Sequence, residues 1–334
     1  MHSLDDGDAL HHEIDASLYR LLQRYALEIA DAAELIDAIR SMLGAGGKRL
    51  RPAFCYWGFR ATGAFHSQEI VNASGSLELL HSFALIHDDV MDSASTRRGR
   101  PSINASNGDA FAILAGDLAL VLADDAFMSS GFADGGIARA FTAYSRMRRE
   151  VIAGQLLDIK AEARIPTIAE TRRIALLKSG RYTVSEPLVI GCVLAGGPEA
   201  VQQQLSAIGD LAGEAFQLRD DVLGTFGSEA EIGKSIDSDI RQGKRHFLFA
   251  YAADTLEASE RAAFLADWGR PDLGTEEIER LRGALERTGA RAAAEDLIKQ
   301  LHREAQRRLA EAEIDAEARS AIATLIDRAI LREQ

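Results

Sequence analysis

The sequence predicts an all-α fold, a single-domain helical bundle. Three observations carry this. Apolar residues recur at three-and-four spacing along most of the 334 residues, the period of a helix face. The alternation of a half-buried strand is essentially absent. Only six prolines interrupt the chain, at 52, 101, 166, 187, 198 and 271, which suits long helices.

The elements follow in order. Ile14, Leu18, Leu21, Leu22 and Tyr25 share one face of a helix expected over roughly 12–41. Gly44-Ala45-Gly46-Gly47 ends it. Further helices are expected over roughly 69–92, 107–129, 134–164, 167–186, 199–224, 245–257, 275–288, 291–313 and 315–331. Ser93 to Pro101 is expected to be a basic loop, and Gly224 to Gly243 a polar loop between two helices. No Pro/Gly/Ser-rich linker divides the chain, so one domain, 1–334, is expected. The region after Glu257 is charged and amphipathic and carries no readable motif.

Composition narrows the classes. The chain is 47% hydrophobic and 27% charged, enough apolar material for a sizeable core. Its net charge of −13 disfavours nucleic acid and anionic lipid as partners. Cys55 and Cys192 are the only cysteines and lack metal-ligand spacing, which points to a reducing compartment. The N-terminus reads unlike a signal peptide, and no run is apolar enough for a membrane span. A cytoplasmic location is the expectation.

Two acidic clusters stand out. Asp88 and Asp92, in Asp88-Asp89-Val90-Met91-Asp92, are four apart and project from one helix face. An isolated cluster of this kind is as readily a solvated helix end. Here it closes the apolar run Phe83-Ala84-Leu85-Ile86, and Arg97-Arg98-Gly99-Arg100-Pro101 follows. A hard divalent cation resolves the repulsion, and arginine forks match phosphate oxygens. Together they suggest a metal–diphosphate site. The second cluster, Asp220-Asp221, ends Phe216-Gln217-Leu218-Arg219, and Gly233-Lys234 and Gly243-Lys244 lie beyond it. Gly46-Gly47-Lys48-Arg49-Leu50-Arg51-Pro52 fails as a nucleotide P-loop, because Met42 and Arg49 stand where glycine and Ser/Thr are needed. It remains a glycine-rich turn that can cradle a diphosphate. His81 lies two helical turns before Asp88; a lone histidine there, like His87, is more often packed than functional.

Taken together, from about Gly46 to Lys244, these motifs resemble the trans-prenyl diphosphate synthases (polyprenyl synthetases). The resemblance implies an isoprenoid-synthase bundle in which two aspartate helices face across a central cavity. It also implies a homodimer. Lys48, Arg51, His81 and Arg98 then match the isopentenyl diphosphate site. Arg97, Lys178, Ser179, Gln217, Lys234 and Lys244 match the allylic diphosphate site. Asp88, Asp92 and Asp220 match direct Mg2+ ligands, with Asp89 and Asp221 in support and three ions expected with substrate bound. The implied catalytic set is Asp88, Asp92, Arg97, Lys178 and Asp220. The implied reaction is head-to-tail condensation of the two diphosphates.

One departure matters. The family's second motif usually ends in a third aspartate, and Gly224 stands there instead. Product length is expected from the residues before Asp88. Phe83 and Ala84 point to C20 geranylgeranyl diphosphate, with C15 farnesyl diphosphate as the alternative. A class I terpene cyclase and a non-catalytic subunit of a heteromeric synthase are the competing readings. The first needs no second diphosphate site; only Gly224 favours the second.

Overall fold

The computed structural model describes residues 5–227 and 238–331. Contacts divide them into two compact units. The first comprises residues up to 144 together with 186–205 and 312–325; the second comprises 145–185, 206–311 and the residues from 326 on.

The first unit is built on helix α4, Gln68–Met91. That helix is apolar on nearly every side, so it is a core element rather than a surface one. Leu77, Leu79, Leu80 and Ile86 are at most 1% exposed, and each such side chain contributes about 1.5–3 kcal/mol of burial. Around it lie α1 (Asp5–Glu28), α2 (Ala33–Gly44), α3 (Leu50–Arg60), the short α5 (Ile103–Asn107) and α6 (Asp109–Met128). The expected single helix over 12–41 is two, separated by a 3-10 turn at Ala30–Ala32. Neither glycine nor proline marks that break. Helix α3 packs on α9 (Glu186–Leu194) backbone to backbone. A Cβ on Gly191 would lie 1.9 Å from the Cys55 carbonyl oxygen, and one on Gly58 would lie 2.2 Å from that of Leu188. Neither α3 nor α9 is among the expected helices; both are short.

The expected basic loop after α4 is a hairpin. Strands β1 (Thr96–Arg97) and β2 (Arg100–Pro101) pair antiparallel, Arg97 opposite Arg100. Its two turn residues, Arg98 and Gly99, have φ of 53° and 72°. Positive φ at both positions is what a two-residue hairpin turn demands. Arg98 accepts the conformation because its side chain is tied elsewhere, as described below.

The second unit takes the latter part of α7 (Asp134–Glu162), then α8 (Ile168–Ala175), which begins with a capping box of Thr167 and Glu170. The chain continues as a π-helix from Leu176 to Ser185, where ordinary α-helix was expected. Helix α10 (Glu199–Phe226) and later helices at Phe247–Thr255, Ala258–Asp267, Thr275–Arg287 and Ala290–Glu311 complete the unit. The π-helix meets α10 at two glycines: a Cβ on Gly213 would lie 2.4 Å from the Gly180 carbonyl oxygen. Arg219 of α10 donates to both Glu295 carboxylate oxygens, at 2.6 and 2.8 Å, and to the Ile330 carbonyl at 3.0 Å. It ties helix 290–311 and the chain end to the aspartate helix.

Candidate active site

In the first unit, the aspartates end α4. Asp92 is its C-cap, and its amide donates to the Asp88 carbonyl at 2.8 Å. Asp89 is 1% exposed. Arg97 reaches back from the hairpin and grips Asp89 with Nε at 2.9 Å and with Nη2. The same Nη2 lies 3.7 Å from Asp88 Oδ2. Arg97 therefore neutralises the inner carboxylate, and leaves Asp88 and Asp92 at the rim.

The glycine-rich turn is held from below. Arg49 has φ 46°, a left-handed conformation that is rare for a side chain of this size. Its guanidinium is buried, and each of its three nitrogens donates a hydrogen bond. Nε donates to Asp15 at 2.8 Å, Nη1 to the buried Glu78 at 3.0 Å, and Nη2 to the Leu43 carbonyl at 2.8 Å. Arg98 donates to the Gly46 carbonyl. Gly47 is closely covered: its Cβ would meet Arg49 Nη1 at 3.2 Å and Arg98 Nη2 at 3.3 Å, so either guanidinium would have to shift. The turn presents Lys48 exposed and starts α3, so Arg51 falls in that helix's first turn. His81 faces the same cations. Burial, then the charges of Arg51, Arg98, Arg97 and Arg49, push its pKa well below the histidine norm. Its imidazole is neutral at pH 7, so it adds hydrogen bonding without adding charge.

Phe83 is half-buried and meets His87 edge-on, ring centroids 4.9 Å apart. His87 Nε2 lies 3.1 Å from the Ile113 carbonyl oxygen of α6. It lies over Gly116, where a Cβ would sit 2.2 Å from the imidazole. Phe83, Ala84, His87 and Gly116 thus form one patch along α4 and α6. The role of Gly116 shows only once the helices are packed.

In the second unit, Lys178 rides the π-helix, and its Nζ pairs with Asp158 at 2.5 Å. Ser179 follows it. Gly154 makes this approach possible, since a Cβ there would lie 2.4 Å from the Lys178 amide. Asp158 went unassigned in the sequence. Its signal is Gln155-Leu156-Leu157-Asp158, two polar groups three apart on one helix face.

Gln217 donates to Asp221 at 2.8 Å. Asp221 is buried, and its pKa is pushed well above the carboxylate range. Burial is the main cause; Asp239, Asp220 and Asp158 add to it, while the Gln217 hydrogen bond opposes it. Asp239 explains the Gly224 departure in space. A Cβ on Gly224 would lie 2.2 Å from Asp239 Oδ2. The carboxylate that the motif lacks has its place filled from a later segment. Lys244 lies in that segment, and its amide donates to the Asp239 carbonyl at 2.9 Å. Lys234 lies outside the described residues.

The donors suit a hard cation. They are carboxylate oxygens, some at helix rims, and magnesium takes few protein ligands beside water and phosphate. Among the described residues, no three acidic, His or Cys side chains close on one point. Each unit therefore brings carboxylates and basic side chains together.

Comparison with known proteins gives the arrangement a family. Residues 32–285 match the polyprenyl synthetase family model. A short chain isoprenyl diphosphate synthase of Methanocaldococcus jannaschii is 33% identical over 74% of each chain. A geranylgeranyl diphosphate synthase of Methanosarcina mazei is 32% identical over 86% of this chain and 84% of that one. Among solved structures, a geranylgeranyl pyrophosphate synthase of Corynebacterium glutamicum, complexed with isoprenyl diphosphate and magnesium, superposes with a TM-score of 0.93. The two are 33% identical, over 98% of this chain and 99% of that one. The motifs, the helical architecture and these relatives agree: the chain belongs to the polyprenyl synthetase family, enzymes that elongate prenyl diphosphates.

Proposed function

We propose that this chain condenses isopentenyl diphosphate with an allylic diphosphate, head to tail, and releases C20 geranylgeranyl diphosphate. The cationic ring around His81 carries the reading. Arg49, Arg51, Arg97 and Arg98 all act on that one neutral imidazole. Arg49 and Arg97 are paired with carboxylates, so Arg51 and Arg98 bring the further positive charge that suits a second diphosphate, which chain elongation needs and cyclisation does not.

In this reading Lys48, Arg51, His81 and Arg98 bind isopentenyl diphosphate and orient its double bond. Lys178, Ser179, Gln217, Lys244 and Lys234 bind the allylic diphosphate, with Arg97 in support. Asp88, Asp92 and Asp220 hold Mg2+, three ions with substrate bound, and Asp89 and Asp221 support them. Bound magnesium supplies charge neutralisation on the leaving diphosphate. Lys178, released from Asp158, and Arg97 stabilise the negative charge that grows as the allylic C–O bond breaks. Holding the second substrate in register lets its double bond attack before water does. The motifs offer no evident side-chain base for the final proton; the departing diphosphate accepts it.

A homodimer accompanies this reading. Helix α6 leaves Leu114, Val121 and Met128 about half exposed, seven residues apart along one face, which suits a second copy.

The test incubates the purified chain with isopentenyl diphosphate, farnesyl diphosphate and Mg2+, and resolves products by chromatography. Geranylgeranyl diphosphate is expected. A cyclised hydrocarbon would favour a cyclase, and no product without a second protein would favour a non-catalytic subunit. Phe83→Ala is expected to lengthen the product; an unchanged chain length removes Phe83 as the floor.

A further inference from the structure

We infer that the segment from Trp268 to Leu273 is a latch that sets Lys244 and Asp239 for the allylic diphosphate, with Trp268 and Gly269 as positioning residues. This rests on the reading of Lys244 as a diphosphate ligand. The segment lies beyond Glu257, where the sequence carries no recognisable motif.

Both backbone groups of Lys244 are fixed. Its amide donates to the Asp239 carbonyl at 2.9 Å, and its carbonyl accepts from Trp268 Nε1 at 3.3 Å. Trp268 is only 4% exposed and is walled by Phe249 and Phe264, both with ring centroids 5.2 Å away, and by His246 at 6.0 Å. A buried indole N–H needs an acceptor. The Lys244 carbonyl is the acceptor it has.

The contact is tightened by two glycines. Gly243 and Gly269 have φ of 68° and 89°, and a Cβ on either would lie about 3 Å from the other's Cα. Gly243 and Gly269 both donate their amides to the Ile240 carbonyl, at 3.1 and 3.0 Å. Arg241 completes the seam, with Nη1 donating to the carbonyls of Pro271 and Leu273 at 3.1 and 2.7 Å. Arg245 is turned onto the Phe249 ring at 4.3 Å. A lysine on a fixed root loses less freedom when it engages an anion, so the latch acts on affinity for that anion.

The experiment compares Trp268→Phe, Gly269→Ala, Lys244→Ala and the doubles with Lys244→Ala in the full chain. Initial rates are taken with farnesyl diphosphate varied at saturating isopentenyl diphosphate, and the reverse, beside thermal unfolding. Trp268→Phe keeps an aromatic ring, though a smaller one, and removes the donor. Its KM for farnesyl diphosphate is expected to rise about three- to tenfold, the range of one hydrogen bond, with that for isopentenyl diphosphate unchanged. Gly269→Ala is expected to raise the same constant at least as much, and it stands in if Trp268→Phe does not fold. In the Lys244→Ala background neither substitution adds further loss. A purely structural role would instead lower the melting temperature and the active fraction and leave both KM values in place, which overturns the latch. So does full additivity with Lys244→Ala. If Lys244→Ala itself leaves the farnesyl diphosphate KM unchanged, the ligand reading of Lys244 falls and the latch with it. If Lys244→Ala acts and the other two do not, only the latch falls.

Discussion

The two aspartate motifs solve the same electrostatic problem in opposite ways. In Asp88-Asp89-Val90-Met91-Asp92 the innermost carboxylate is neutralised by a built-in cation, Arg97. In Asp220-Asp221 the innermost carboxylate meets more acid, Asp239 and Asp158. The first motif is complete in itself. The second is completed by Asp239, delivered from eighteen residues after Asp221 to the space above Gly224. A self-neutralised motif can be read locally. A crowded one depends on whatever cation binds it and on the segment that brings the extra charge.

Four substitutions test this contrast, beginning with the largest effect. Asp88→Ala should cut turnover about a thousandfold or more, some 4 kcal/mol of transition-state stabilisation, with far-UV circular dichroism unchanged. Near-normal turnover would show that the first motif is not the main metal site. Arg49→Met should destabilise the first unit by about 3–5 kcal/mol, because it leaves Glu78 buried and unpaired. Urea unfolding would measure it, and pairing Arg49→Met with Glu78→Leu should recover most of the loss. Gly224→Asp restores the common motif in sequence but drives a side chain into Asp239. Activity should fall about tenfold, about 1.4 kcal/mol, and Gly224→Asp with Asp239→Gly should regain it. Improvement by Gly224→Asp alone would break the comparison.

The smallest effect is on acid stability. His81 has a depressed pKa in the folded chain, so below about pH 6.5 the unfolded chain binds a proton that the native state does not. The stability present above that pH is lost as pH falls, by at most about 1.4 kcal/mol per pH unit. His81→Asn should flatten that slope in melting curves between pH 6.5 and 5; an unchanged slope would mean His81 is not held neutral.

Much of the site was legible because its residues sit in short, local patterns. Helical spacing puts Asp88 and Asp92 on one face, and the neighbouring Arg97 and Arg98 made that face a candidate site. Arg49 was not legible: its partners Asp15, Leu43 and Glu78 come from three helices, and nothing in a Gly-Gly-Lys-Arg run says which arginine turns inward. Asp239 and Trp268 were hidden for the same reason. Their meaning lies in contacts to Gly224 and Lys244 that span fifteen and twenty-four positions. The hairpin at Thr96–Pro101 was read as a loop because each strand has only two residues, too few to show alternation. The break at Ala30–Ala32 has no sequence mark at all.

The π-helix at Leu176–Ser185 has a consequence for lineage and engineering. Wider turns accommodate an inserted residue inside a helix without disturbing either end. Lys178 and Arg181 both ride on those turns, and Arg181 holds them with Glu150 at 3.0 Å and Asp210 at 2.9 Å. Removing one residue there would let ordinary α turns close while the flanking helices keep their places, and the side chains carried on the wide turns would change register. The stretch therefore works as a register dial. Its setting decides which side chain meets Asp158.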